Sequence, residues 1–459
     1  MIPERLRPIL DQVSPVAERF EADGHRLYLV GGIVRDLVLG RPTDKSDLDL
    51  TTDARPEEVK AILAPWADSV WNQGEAFGTI GARKGDDTFE ITTPRAEAYR
   101  ADSRKPQVVY ADDIAVDLSR RDFTVNAMAL RLPDLELVDP YGGVEDLAAL
   151  RLRTPLSPDE SFNDDPLRML RAARFIAGYD LTPDPELVDA VTRLRGRLAI
   201  VSVERIQGEL SKLLVVDDPS AGIWFLADTE LADEFLPELR ALRVEQDPIH
   251  RHKDVLAHTI AVVAKTRPQL VVRLAALLHD IGKPKTRSVG PKGVSFHHHE
   301  VVGARMARDR MRALRFSNDV IDDVSRLVFL HLRFHGYGDD VWTDAAVRRY
   351  ARDAGPLLDE LNELTRCDCT TRNERKARML AARMDALEAR IAELQEEEEL
   401  AAIRPDIDGN RVMELLGVAP GRVVGEALDM LLEARLEEGP LGEEEAERRL
   451  LSWWEARST

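Results

Sequence analysis

The sequence predicts an α/β head built on a mixed β-sheet with helices, residues 1–155, followed by mainly α-helical segments: a neck at 156–245, a histidine-rich domain at 246–370 and a tail at 371–459. Three observations carry this. Short β-branched runs with Gly and Pro punctuation fill the first third, and helical apolar spacing takes over from Pro166. Nine of the ten histidines fall between His250 and His335, which sets the third segment apart. A chain of 459 residues, 44% hydrophobic, is long enough for about three domains with cores of their own.

In the head, strands are expected at Leu27–Val30, Asp47–Thr51, Phe89–Thr93 and Glu136–Val138. After the first comes Gly31-Gly32, then a helix opening near Val34 with Arg35 one turn in. Glycine has no Cβ, so backbone amides at such a helix start can approach phosphate oxygens closely. In the second strand Asp47 and Asp49 stand two residues apart. The strand period of two turns both carboxylates to one face, where they can share hard cations. A glycine turn or a D-x-D pair alone is common on ordinary surfaces; in this order they describe a phosphate and metal site. RRDFTVNAMAL (Arg120–Leu130) adds Asp122 as a third acid for the metal cage, Arg121 for a phosphate and Asn126 for a sugar or the backbone. Arg95, Glu97 and Tyr99 are placed to order a loop over substrate, whereas Asp139 and Asp146 read as fixing loop geometry.

Helical spacing runs from Pro166 to about Leu236 with a break at Asp180–Pro185, and resumes from His250 to about Asp368. The tail opens on a long helix whose Leu380, Met384, Leu387, Ile391 and Leu394 form an a/d seam, read as packing on a neighbouring helix rather than as a dimer contact. The oligomeric state stays open. A formal charge of -20 opposes non-specific sliding on nucleic acid, yet Arg168, Arg171, Arg174, Arg193, Arg195, Arg197 and Arg205 allow a basic channel within an acidic body. No apolar run approaches a membrane span, and Cys367 and Cys369 are too few for a disulfide framework, so a cytoplasmic protein without a membrane partner is expected.

GGIVRD with DLD, RRDFTVNAMA and DDPLRMLRAARF (Asp164–Phe175), in this order and spacing, resemble the class II tRNA nucleotidyltransferases, the family of CCA-adding enzymes and bacterial poly(A) polymerases. The resemblance spans about the first 240 residues. It implies a nucleotidyltransferase head in which Asp47 and Asp49 bind Mg²⁺ and Gly32, Arg35, Arg121, Asp165, Arg168, Arg171 and Arg174 contact the incoming nucleotide. Asp164 stands where the family usually has Glu, which puts its orienting role in question. Three residues along a helix would set the Asp165 acceptor beside the Arg168 donor fork. Cytosine and adenine each present an amino donor next to an unprotonated ring nitrogen, so this pair would select them over uracil and guanine without a template.

His258, His279-Asp280 within LLHDIGKP, His299 within HHHEVVGA, His331 and Asp368 resemble the signature of the HD phosphohydrolase superfamily. The likeness implies one or two divalent ions (Mn, Ni or Mg) held by His258, His279, Asp280 and Asp368, with His299 and His331 as further ligands, and Lys283 meeting a phosphate. His297 and His298 are read as flanking the site, and His250, His252 and His335 as ordinary polar residues. The expected activity is addition of CCA to tRNA 3′ ends from CTP and ATP, the RNA 3′-hydroxyl attacking the α-phosphate and releasing pyrophosphate. The alternatives are poly(A) synthesis, or HD-type hydrolysis of 2′,3′-cyclic phosphates or phosphomonoesters as main or second activity. The motifs alone do not separate CCA addition from A-only, C-only or poly(A) addition.

Overall fold

The computed structural model describes residues 7–41, 47–72, 78–98, 107–110, 113–244, 254–290, 293–336, 342–369, 373–398 and 404–457. They fall into two compact units, residues 1–209 with 225–234 and residues 210–224 with 235–459.

The first unit opens with α1 (Arg7–Ala22), whose Ile9, Val13, Val16 and Phe20 recur at helical spacing and are buried. This stripe packs on β1 (Leu27–Val30), all four residues of which are buried, as expected of a central strand. α2 (Gly32–Leu39) follows one residue later, then β2 (Asp47–Thr52), α3 (Pro56–Leu63), β3 (Ser69–Asn72), β4 (Thr79–Lys84) and β5 (Asp87–Thr92). β6 (Arg95–Ala98) pairs with β7 (Gln107–Tyr110) as a separate ribbon; α4 (Ile114–Ser119) leads into a 3₁₀ turn at Thr124–Asn126, β8 (Ala129–Leu132) and β9 (Glu136–Val138). The main sheet runs β3-β4-β5-β2-β1-β8-β9, with β2 and β5 parallel and every other pair antiparallel. β2 lies between β1 and β5, so its ladder is satisfied on both edges, with Leu29 opposite Leu50 and Asp49 opposite Glu90. Leu48 and Leu50 are buried while Asp49 between them is exposed, the alternation the D-L-D-L pattern predicts.

Asp139 accepts from the amides of Gly143 and Val144 at 2.7 and 2.9 Å and so caps α5 (Gly143–Ala148). Asp146, fully buried, accepts from Arg151, Arg153 and the Thr124 hydroxyl at 2.7, 2.7 and 2.6 Å, so both acids serve the loops as expected. After β10 (Arg151–Leu152), a capping box of Ser157 and Glu160 starts α6 (Pro158–Asp164), and α7 (Leu167–Tyr179) follows. The anticipated break is real: α7 stops at Asp180, which takes a left-handed conformation, β11 (Thr182–Pro183) pairs with β10, and α8 (Pro185–Leu194) opens on its proline. α9 (Val203–Leu214) and α10 (Ser220–Asp228) complete the neck.

In the second unit, α11 (Pro237–Ala241) precedes α12 (Val255–Lys265), α13 (Leu270–Leu278) and α14 (Lys283–Thr286), then the hairpin of β12 (Ser288–Gly290) and β13 (Gly293–Ser295). α15 (His299–Ala313), α16 (Asn318–Leu330), α17 (Arg333–Gly336), α18 (Asp344–Ala354) and α19 (Leu358–Asp368) complete the bundle, in which α13 packs on α12, α16 and α19. α20 (Glu374–Glu398) buries Leu380, Met384, Leu387, Ile391 and Leu394 against α18 and α19, so the a/d seam is internal packing. α21 (Gly409–Leu416), α22 (Arg422–Glu438) and α23 (Glu443–Arg457) close on a small core around Val412, Ala427, Leu431 and Leu450. No helix among the described residues is long and apolar enough to cross a membrane.

The largest fully buried side chain of this unit is a cation. Arg273, 1% exposed, donates to the carbonyls of Thr266, Arg267, Leu214, Val216 and Asp217 at 2.8 to 3.3 Å, three of them at the carbonyl end of α9. A guanidinium there meets the negative end of the helix dipole and satisfies carbonyls that the helix leaves without partners. Replacing Arg273 with Leu strands those acceptors away from water, and we expect urea denaturation to show a loss of about 3 kcal/mol or more.

Candidate active site

Two constellations emerge, one in each unit. In the first, Gly31 joins β1 to α2 with φ +80 and ψ -144, a conformation open to glycine and costly for other residues. A Cβ at this position would sit 2.9 Å from Arg121 Nη1 and 3.6 Å from Asp49 Oδ2. Glycine is therefore required for the turn, and its bare Cα leaves a carboxylate and a guanidinium close to the start of α2. The first amides of that helix have no acceptor within it and suit an anion. Arg121 suits one too: its guanidinium touches Asp117 at 3.3 Å, and its Nε is buried without a hydrogen-bond partner.

Gly31, Gly32, Asp49, Arg121 and Asp122 line one cleft of about 320 Å³ together with Asp165, Arg168 and Arg171. Residues separated by more than a hundred positions thus share one wall. Arg120, Asn126 and Arg205 line it as well, which brings five arginines against three aspartates. Of the arginines named for a basic channel, Arg168, Arg171 and Arg205 line this cleft, whereas Arg193 and Arg195 pair with Asp159 and Glu230 away from it. Position 47 shares the face of Asp49 by strand register; its side chain lies outside the described residues, as do Tyr99 and the side chains of Arg95 and Glu97.

Asp122 departs from the expected metal cage. Its Oδ1 accepts from the Phe123 amide and Asn126 Nδ2, both at 2.9 Å, and its Oδ2 from Arg171 Nε and Nη2 at 2.9 and 2.6 Å. Burial works to raise its pKa, but the Arg171 charge and these bonds outweigh burial and hold it below the usual carboxylate range. It is ionised with both oxygens committed, a strut rather than an open ligand. Arg171 reaches on to Glu209 at 3.3 Å, and Glu209 holds Arg174 at 2.7 Å. On the other side Asn126 Oδ1 accepts from Arg35 at 2.7 Å, and Arg35 also pairs with Asp36 and stacks on Tyr179, 4.1 Å from the ring centre. Arg35 is buried beneath the cleft, and Arg174 stands behind Glu209; neither lines it.

Asp165 lies just outside α7, in extended conformation after α6, and its carbonyl accepts the Arg168 amide at 3.0 Å. The two are neighbours through a first turn rather than within a helix. Asp165 Oδ1 accepts from the Leu167 amide at 3.1 Å and Oδ2 from Arg205 Nη2 at 2.7 Å. Arg168 is fixed by Ser161 Oγ at 3.0 Å, the Arg120 carbonyl and Asp164 Oδ2 at 3.1 Å, so the shorter Asp164 still reaches to orient it. Arg205 and Glu209, one turn apart on α9, escaped the sequence reading as site residues. Arg205 counted there only as one of the arginines of a basic channel, and Glu209 carried no signal beyond an i,i+4 pair of opposite charge.

In the second unit, His279 at the end of α13, Asp280, His299 opening α15, His331 closing α16, His258 on α12 and Asp368 closing α19 converge. His258 Nε2 lies 2.9 Å from Asp368 and 3.3 Å from His279 Nε2; Asp280 lies 3.2 Å from His279 and 3.4 Å from His299; His299 and His331 meet at 3.3 Å. Each of His279, His299 and His331 places Nδ1 against the carbonyl three residues back, at 2.8, 2.8 and 2.6 Å. That bond fixes the tautomer and turns every Nε2 lone pair inward. Gly282 permits the close fit, since a Cβ there would meet the His299 carbonyl at 2.2 Å. Two ligand groups result, His258-His279-Asp280 and Asp280-His299-His331, their ligand atoms within 4.8 Å and Asp280 common to both. Burial holds His331 down at about 3, so it is a neutral donor. Burial raises Asp280, but His279 and Lys283, the latter 2.7 Å away, outweigh it and keep the carboxylate ionised. Four imidazoles and two carboxylates fit a pair of divalent ions. His298 is exposed, as a flanking residue should be; His250, His252 and the side chain of His335 lie outside the described residues.

Comparison with known proteins matches the regions that carry the two clusters to described domains. Residues 27–153 match the poly A polymerase head domain, 180–242 the probable RNA and SrmB-binding site of polymerase A, and 255–395 the HD domain. An A-adding tRNA nucleotidyltransferase of Deinococcus radiodurans is 36% identical over 93% of this chain and 95% of its own. A CCA-adding enzyme of Anoxybacillus flavithermus is 32% identical over 77% of each. Among solved structures, the Bacillus stearothermophilus CCA-adding enzyme in complex with CTP aligns with TM-score 0.71 at 24% identity over 100% of this chain and 99% of that one. The Thermotoga maritima CCA-adding enzyme complexed with tRNA aligns at 0.61 and 19% identity over 97% and 96%, and these two show the shared fold. A glycine turn, strand acids and an arginine-lined cleft, carried by a chain that matches a relative over nearly its whole length, place this protein in the tRNA nucleotidyltransferase family of CCA-adding and A-adding enzymes and poly(A) polymerases.

Proposed function

We propose that the protein adds C and A residues, completing CCA, to tRNA 3′ ends from CTP and ATP without a nucleic-acid template, working in the cytoplasm. The observation that carries this is the meeting of Asp49 and Arg121 at the Gly31 turn with Asp165 and Arg168 in one cleft. Asp47 and Asp49 would hold Mg²⁺, which when bound would supply Lewis-acid activation of the 3′-hydroxyl and charge stabilisation for the pyrophosphate. The chain's own residues do the rest. The α2 amides, Gly32 and Arg121 receive the triphosphate; Asp165 accepts the base amino group and Arg168 donates to the ring nitrogen. Asp122, Arg171, Glu209, Arg174 and Arg35 act by positioning, because each is bonded within one hydrogen-bonded chain, of which Asp122 and Arg171 also line the cleft. The division at 155, 245 and 370 belongs to this reading; the matched spans support the first two boundaries, while the HD match runs past the third into α20.

Asp49→Ala should lower incorporation of labelled CTP and ATP into tRNA lacking its CCA end by more than about 10³-fold, since the metal is lost from the transition state. Incorporation near the parent rate would defeat the metal assignment.

A second reading, addition of A alone, is favoured by the near full-length likeness to a relative named A-adding. tRNA ending before CCA and tRNA ending in CC, offered with CTP and ATP separately and together, decide it. CCA addition predicts three residues on the first substrate and one on the second. A-only addition extends only the second by one, and continued extension with ATP marks poly(A) synthesis.

We further propose that the HD cluster is a phosphohydrolase site for 2′,3′-cyclic phosphates or phosphomonoesters, loaded with Mn, Ni or Mg. Its imidazole-rich donor set favours Ni among these. His279→Ala or Asp280→Ala should remove hydrolysis of a 2′,3′-cyclic nucleotide while leaving CTP incorporation within a few-fold, and Asp49→Ala the reverse. Hydrolysis that survives both HD changes, or that a chelator leaves intact, would overturn the assignment.

A further inference from the structure

Arg205 donates Nη2 to Asp165 Oδ2 at 2.7 Å and lines the same cleft. Resting on the proposed base reading, this contact has a specific meaning. Asp165 Oδ1 is held by the Leu167 amide at 3.1 Å, so Oδ2 is the oxygen turned to a ligand. The donor that Oδ2 would take from cytosine or adenine is a planar N–H next to a conjugated ring, and a guanidinium N–H is the side-chain group closest to it in geometry and polarity. We infer that Arg205 is a specificity-determining residue that stands in for the base amino group at Asp165 and exchanges with it as the base seats.

The pair is built for exchange. The side chains of Asp165 and Arg205 are 29% and 53% exposed, and an ion pair this open contributes little and re-forms readily. Arg168 differs: it is 12% exposed, tied to Ser161, Arg120 and Asp164, and so remains as a fixed wall. Exchange replaces one donor by another, so the carboxylate keeps a hydrogen-bond partner throughout. A keto base offers Oδ2 no donor at that edge and cannot complete the exchange. Arg205 therefore competes with amino-bearing bases alone, and its presence narrows the affinity gap between them and keto bases by the strength of one exposed ion pair.

The test is the ratio of affinities, since removing any cation from a triphosphate cleft weakens all four nucleotides together. Titration calorimetry on the full chain measures CTP against UTP and ATP against GTP. In Arg205→Ala both ratios should widen about two- to fivefold, the factor an exposed ion pair commands. Arg205→Lys, which keeps a cationic donor, should stay near the parent ratios. Unchanged or narrowed ratios in Arg205→Ala would overturn the exchange, as would equal widening in Arg205→Lys. Asp165→Asn separates this from the underlying reading. If Asp165→Asn collapses the ratios while Arg205→Ala leaves them at the parent value, only the exchange fails; if Asp165→Asn leaves them unchanged, the base reading itself fails.

Discussion

One ion pair, its carboxylate buried and its guanidinium partly so, organises the nucleotide cleft. Asp122 sits in the segment after the α4 helix, Arg171 in the middle of α7, and their bond of 2.6 Å joins two parts of the chain 49 residues apart. Neither charge tolerates burial alone. Desolvation of an unpaired carboxylate or guanidinium costs several kcal/mol, so each fixes the other's place. The pair then propagates. Asn126 takes its amide orientation from Asp122 and so presents its carbonyl oxygen to Arg35, which is gripped by Asp36 and stacked on Tyr179. On the far side Arg171 shares Glu209 with Arg174. The phosphate-turn helix, the RRDFTVNA segment, the DDPLRMLR helix and α9 are thereby held in one hydrogen-bonded chain. A single loose member would leave a half-satisfied network, which is worse than none.

That chain explains which parts of the site were legible in sequence. β1, β2 and β9 stand out because their apolar runs are short and bounded by turn residues, and the Gly31 turn announces itself by glycine next to a strand end. β3 and β4 did not: SVWN is half exposed at the sheet edge and TIGARK ends in two exposed basic residues, so neither shows a clean alternation. For the site, the residue types were readable but their duties were not. Asp122, Arg35 and Arg174 look as fit for metal or phosphate as Asp49 and Arg121. What divides them is the partner each finds across 35 to 91 residues, and a linear spacing does not carry that information. The six HD-cluster residues were named from their likeness to the HD signature, and the fold brings all six together.

Charge works at two ranges here. The protein as a whole carries -20 and repels a polyanion, which suppresses indiscriminate binding to RNA. Within the cleft the balance reverses, five arginines facing three aspartates, so attraction operates only within about a Debye length of the site. Pairing is general: the C-terminal Arg411, Arg435, Arg448 and Arg449 are each bound to carboxylates of their own unit at 2.5 to 2.7 Å, as Arg171 and Arg205 of the cleft are at 2.6 and 2.7 Å.

The two sites share a construction rule. A functional group is aimed by committing one of its atoms to backbone and leaving the other to the ligand. Asp165 gives Oδ1 to the Leu167 amide and turns Oδ2 to the cleft; His279, His299 and His331 give Nδ1 to the carbonyls of Ala276, Phe296 and Val328 and turn Nε2 to one another. Backbone is the right anchor because its polar groups must be satisfied anyway and cannot rotate away. The local geometry also comes at no extra length of chain, since the carbonyl three residues back lies beside a residue at a helix end, and the amide two residues on lies beside one that precedes a helix. Orientation paid for in this way during folding does not have to be supplied when substrate or metal arrives. The rule accounts for where the ligating residues stand: His279 and His331 at helix C-termini, His299 opening a helix and Asp165 before one, places where backbone groups lack helical partners. Helix ends thus aim these four residues, while His258 on α12, Arg168 on α7 and Asp49 on β2 are placed by the element that carries them.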